Sequence, residues 1–194
     1  GLATIGEGDW RANPWLADEF LKQDPSKAGW ESEAFHDQEG AQLNRLGKWT
    51  AAGQVDPEQL TSLATSDVAF TALRPNQIVE VFSDPALTAY RTSNDASTPN
   101  KVIGIDAFAK SLSDLSLLTP DAEDRRVKFK GLRVVLHEDF AETTADFQLS
   151  LHAPAGVTQV NAVWEIQWTR ENPPRIRAIE VTDYEEVRPA NTGS

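Results

Sequence analysis

Residues 127–138 (VKFKGLRVVLHE), 140–153 (FAETTADFQLSLHA), 157–169 (VTQVNAVWEIQWT) and 175–184 (RIRAIEVTDY) decide the fold, because they read as four consecutive strands. In the second run Ala141, Thr143, Ala145, Phe147, Leu149 and Leu151 alternate with Glu142, Thr144, Asp146, Gln148, Ser150 and His152. That is the period-two pattern of a strand with one dry face. In the third run Val160, Ala162, Trp164, Ile166 and Trp168 share a face, and Asn161, Glu165 and Gln167 share the other. The breaks at 138–139, 153–156 and 171–174 are short and polar, and connections this short join antiparallel neighbours. The C-terminal third is therefore predicted to be a meander. Its dry face must be covered by residues 1–126, since only a polar tail follows.

The 194 residues are enough for one well-buried core and short for two. No apolar run approaches the roughly 18 residues that span a bilayer, so a soluble globular domain is expected, with no membrane insertion. The sequence opens at Gly1-Leu2-Ala3 without a methionine, which suggests that a leader or lipid anchor has been removed and leaves export open. Cysteine is absent, and the three histidines at 36, 137 and 152 lack any paired ligand spacing, so no metal and no cofactor are expected. A net charge of −12 opposes nucleic acid and anionic lipid and suits an acidic, solvated surface.

Upstream, residues 1–29 read as an arm with a short helix, opened by Asn13-Pro14 and ended by Gln23, whose Trp10, Trp15 and Phe20 staple it to the domain or to a partner. A long helix is predicted over 30–52, with Phe35, Leu43, Leu46 and Trp49 near one face. Glu31, Glu33, Asp37 and Glu39 are read as first-turn acids favoured by the helix dipole. Asp56-Pro57 restarts a brief helix through Ala64, closed by Ser66-Asp67. Strands follow at 68–73, 78–82 and 87–91, then a loop over 92–101, and a third helix over 105–118 on the stripe Ile105, Phe108, Leu112, Leu115.

This order of elements, with LGKWTAAGQVDPEQLTSLATSDVAFTALRP at 46–75 and VIGIDAFAKSL at 102–112, resembles the nuclear-transport-factor-2-like, or SnoaL-like, superfamily over residues 30–187. The resemblance implies an α+β fold, a curved antiparallel sheet with three helices on its concave face, here carrying an N-terminal arm and a polar tail at 188–194. Leu73-Arg74-Pro75, residues 161–164 (NAVW) and residues 181–187 (VTDYEEV) also look like the domain preceding the FG-GAP repeats of bacterial ASPIC/UnbV-type proteins, which are large and exported.

Active members of the superfamily place a tyrosine on the first helix and an aspartate base at the end of the first strand. Counting back from Gly53, those places fall to Leu46 or a neighbour and to Thr71 or Ala72, of which Leu46, Thr71 and Ala72 transfer no protons. The leading reading is therefore a non-catalytic binding or assembly module of a larger exported protein, whose polar sheet face serves self-association or contact with a neighbouring domain; a domain that only caps its neighbour and holds no ligand is a further reading. Trp49, Phe108, Trp164 and Trp168 are the candidate lining for a small apolar or sugar ligand, the plainer reading being that they are core. The rival reading is an isomerase, dehydratase or hydrolase using His137 with Asp146 on the adjacent strand, against two unrelated exposed residues. Asp183, Glu185 and Glu186 lack the spacing of a calcium loop.

Overall fold

The computed structural model describes residues 25–93 and 100–190. The expected arm helix, the centre of the 92–101 loop and the last tail residues lie outside the described residues. The chain divides into two compact units, residues 1–37 and 38–194, with the division inside the first helix.

The elements are α1 (Pro25–Ala51), α2 (Pro57–Leu60), β1 (Ala64–Thr71), β2 (Ile78–Ser83), β3 (Leu87–Thr92), β4 (Lys101–Ile103), α3 (Ile105–Ser116), β5 (Asp124–Leu136), β6 (Phe140–Ala153), β7 (Gly156–Thr169) and β8 (Ile176–Pro189). The strands form one curved sheet in the order β2-β3-β8-β7-β6-β5, with β1 beside the other half of β8 and β4 beyond β1. The fold is α+β, as the sequence suggested, and the meander β5 to β8 is antiparallel throughout.

Three details differ from the sequence reading. Residues 64–67 belong to β1 and not to a helix, because Ala64 pairs with Ile176 and the short α2 already ends at Leu60. Lys101–Ile103 is a strand and not loop, paired with Ala69–Thr71. The β1–β8 pair is parallel, so the sheet is mixed at that one place.

The alternation read from the sequence puts Phe147, Leu149, Trp164, Ile166 and Trp168 on the dry side, and all are at most 1% exposed. Each such side chain contributes about 1.5–3 kcal/mol on burial. Trp164 stacks on Phe147 at 4.7 Å and meets Phe129 edge-on at 5.2 Å. The helices cover this face. On α1, Gly47 lies flat on β5, where an added Cβ would meet Val127 Cγ1 at 3.4 Å. On α3, Phe108 packs on Phe70 at 5.3 Å, and Ser116 donates to the Thr50 carbonyl at 2.6 Å, tying α3 to the end of α1. The β6–β7 hairpin turns at Gly156, φ 136°, where a Cβ would strike Pro189 Cγ at 2.9 Å, so only glycine fits.

Candidate functional site

The inward stripe of α1 within residues 38–194 runs Glu39, Gln42, Leu43, Leu46, Gly47 and Thr50, the spacing of one helix face. Glu39 is a carboxyl in that apolar stripe, 0% exposed. Among the described residues neither of its oxygens has a partner in hydrogen-bond geometry. Burial pushes its carboxyl up to about 7, opposed in part by the neighbouring Thr143 hydroxyl on β6. Below that pH it is a neutral donor; above it, a buried anion without a counter-charge. The reading of Glu39 as a dipole-favoured first-turn acid fails because α1 begins at Pro25, which leaves no acid in its first turn and puts Glu39 deep in the helix.

Two more polar groups on this covered face are half-used or unused. Gln42 donates twice from Nε2, to the carbonyls of Pro174 at 2.7 Å and Ser62 at 3.0 Å, while its Oε1 stays unpartnered. Trp164 Nε1 is buried without an acceptor, whereas Trp168 Nε1 donates to Thr143 Oγ1 at 3.0 Å. Buried polar groups are nearly always paired, so an acid, an amide oxygen and an indole N–H left over on one face call for an explanation.

At the other end of the same face, Glu186 is equally buried but fully engaged. Arg74 donates to it through Nε at 2.8 Å and Nη2 at 3.1 Å, Tyr184 through its hydroxyl at 2.6 Å, and Arg188 through Nε at 2.5 Å. Burial alone would raise the Glu186 carboxyl, but these donors outweigh it and hold it at about 2. Burial and the adjacent carboxylate push the Tyr184 hydroxyl up, so it stays a donor.

The residues singled out from sequence are distributed differently. Trp164, Trp168 and Phe108 are 0% exposed and packed on the covered face, and Trp49 is half-buried. They do not line the open groove of about 690 Å³ at β3, β7 and β8, which is formed by residues including Arg91, Asn161, Asp183 and Glu185. His137 and Asp146 are not brought together. Asp146 faces outward opposite Lys130, while His137 lies past the other end of β5, bonded to Glu142 at 2.7 Å and stacked on Phe140. About six strand residues, roughly 20 Å, separate them, which rules out a hydrogen-bonded dyad. Thr71, at the expected base position, accepts from the Val181 N–H at 2.9 Å and holds β1 to β8. Glu185 and Glu186 point to opposite faces, to Arg91 and Arg74, so the acidic run is not one cluster.

The outer face carries charges of both signs, with Asp146 opposite Lys130 and Asp124 paired with Arg126. Arg126, Lys128, Lys130 and Arg133 run along β5, while Glu165 and Glu180 stand directly opposite each other on β7 and β8.

The sequence matches no protein-family model and no curated protein. Solved structures of similar fold include a nuclear transport factor 2-like superfamily protein from Salmonella enterica serovar Typhimurium, at 12% identity, TM-score 0.53, over 83% of this chain and 95% of that one. A putative scytalone dehydratase from Novosphingobium aromaticivorans is similar at 12% identity, TM-score 0.55, over 84% and 97%. The S. rosetta CaMKII hub is similar at 15% identity, TM-score 0.51, over 78% and 95%. The chain has the nuclear transport factor 2-like fold.

Proposed function

We propose that this chain is a non-catalytic module that binds a small, largely apolar ligand on the covered face of its sheet, anchored at Glu39. The observation that carries this reading is the buried Glu39 carboxyl with both oxygens unpartnered, on the face that also leaves Trp164 Nε1 and Gln42 Oε1 unused. A neutral carboxyl and an indole N–H are donors for a carbonyl oxygen; Phe147, Trp164 and Trp168 are at most 1% exposed, so a ligand reaches these donors only by displacing that apolar packing. Among the described residues burial and Thr143 are what shift Glu39, with no charged side chain beside them, which favours binding over acid–base catalysis. Calorimetric titration with acetophenone, an aromatic ketone, tests this. Saturable binding is expected, weakened about tenfold by Glu39→Leu and on raising the pH past 8. Absence of saturable binding, or binding indifferent to both changes, contradicts it.

One observation favours a second reading. A carboxyl held near 7 is suited to general acid–base work. Turnover of a carbonyl or hydroxyl substrate, lost in Glu39→Gln, would replace binding with catalysis and move the rival from His137 and Asp146 to Glu39.

The outer face supports self-association beside ligand binding. A two-fold contact lays the basic β5 strip of one copy over the Glu165–Glu180 pair of the other, relieving a like-charge cross-strand pair. Sedimentation velocity should show a dimer that dissociates as salt is raised, and a monomer at every salt concentration removes this part of the reading.

A further inference from the structure

Glu186 and its donors form a cluster whose charges do not balance. One carboxylate, 0% exposed, holds two guanidiniums, those of Arg74 at 39% and Arg188 at 33% side-chain exposure. The local sum is +1 in a chain whose net charge is −12. Both arginines reach Glu186 Oε2, which brings their like charges within a few ångströms of each other.

The buried carboxylate fixes the geometry of both. Arg74 is used on its Nε and Nη2 edge, which leaves Nη1, and Arg188 is used on Nε only, which leaves both Nη groups. Apart from the contact between Arg74 and the Tyr184 hydroxyl, no hydrogen bond from these nitrogens is present among the described residues, and they sit on side chains that reach solvent. Two oriented guanidiniums with free N–H groups match a planar oxyanion, and because their aim is preset by a buried group, little ordering remains to be done on binding.

The groups facing the cluster are few. Tyr184 is protonated and donates to Glu186. Tyr90 stands opposite Glu186 on β3, and Glu80 follows it on β2. Glu80 makes no ion pair with either arginine. Glu185 faces away, held by Arg91.

We infer that Arg74 and Arg188, preset by Glu186, form a binding site for a small monocarboxylate. A single negative charge cancels the local excess of one. The acidic remainder of the molecule disfavours dianions and polyanions such as phosphate esters or nucleic acid. This site is separate from Glu39, and its test is independent of the ligand-binding reading above.

The test is a titration of the ¹⁵N-labelled chain with sodium acetate, sodium benzoate and inorganic phosphate at pH 7, each against sodium chloride of equal ionic strength, following the arginine Nε–Hε resonances. Acetate and benzoate are expected to move the Arg74 and Arg188 resonances saturably, chloride not at all. Arg188→Gln should weaken this about tenfold or more, Arg188→Lys less, and Glu80→Gln should strengthen it. The wild-type resonances report even where a variant fails to fold. Carboxylates moving these resonances no further than chloride, or binding unchanged in a folded Arg188→Gln, overturns the site. Phosphate binding without carboxylate binding overturns the ligand class.

Discussion

Two glutamates, Glu39 on α1 and Glu186 on β8, are both 0% exposed on the covered face of the sheet, yet they sit on opposite sides of the ordinary carboxyl value of 4.5. Glu39 has only the neighbouring Thr143 hydroxyl, outside hydrogen-bond geometry, and burial holds it at about 7; Glu186 has four donated hydrogen bonds and is held at about 2. The same desolvation acts on both. What differs is whether the fold supplies charge and donors, and that separates a carboxylate used as a structural anchor from a carboxyl left available for something else.

Removing the anchor is expected to have the largest effect. Glu186→Gln leaves Arg74 and Arg188 without their shared counter-charge and should cost about 3–5 kcal/mol at pH 7, read by urea unfolding. Its pH signature follows from its lowered value. In the wild type the Glu186 contribution is present above 4.5 and disappears as pH falls toward 2, a loss of about 3 kcal/mol that the variant should not show.

Glu39 should act in the opposite sense. Its value in the folded chain lies above the unfolded 4.5, so its contribution is complete below 4.5 and is lost as pH rises through about 7. Over that window the wild type should lose about 3 kcal/mol, and Glu39→Gln, neutral at every pH, should be more stable than wild type by a similar amount at pH 8. A variant less stable than wild type at pH 8 would erase the contrast between the two glutamates.

Thr143→Val sharpens the comparison further. It strips the acceptor from Trp168 Nε1 and the one hydroxyl that lowers Glu39, so it should cost about 1–3 kcal/mol and raise the Glu39 value, both measurable by unfolding across pH. The smallest effect is expected next door. Gly40→Ala places a methyl 3.8 Å from Leu132 Cδ1, an ordinary contact, and should raise stability by about 0.5–1 kcal/mol through helix propensity alone.

The meander was legible because each of its strands alternates cleanly. β6 at Phe140–Ala153 coincides with its sequence reading, and the dry faces of β6 and β7 are those read from the period of two. The two glutamates were not legible, for different reasons. Glu39 was hidden by a misplaced helix start. Its position four residues after Phe35 and four before Leu43 was the available signal, placing an acid inside the apolar stripe. Glu186 was hidden by a β-bulge. β8 was read as ending at Tyr184, and simple alternation from Val181 would turn Glu186 outward. Asp183, at φ 52°, takes up an extra residue against Asn161–Val163 and turns Tyr184 and Glu186 inward. The parallel β1–β8 pair and the short β4 depend on long-range pairing that no local pattern encodes.

Carbon-13 titration of the Glu39 side-chain carboxyl in the folded chain bears most directly on the role given to that residue. A midpoint near 7 is predicted, from a group buried without partners. A midpoint at or below the ordinary 4.5 would mean that the carboxylate is solvated or paired, and Glu39 would then be no anchor for a ligand.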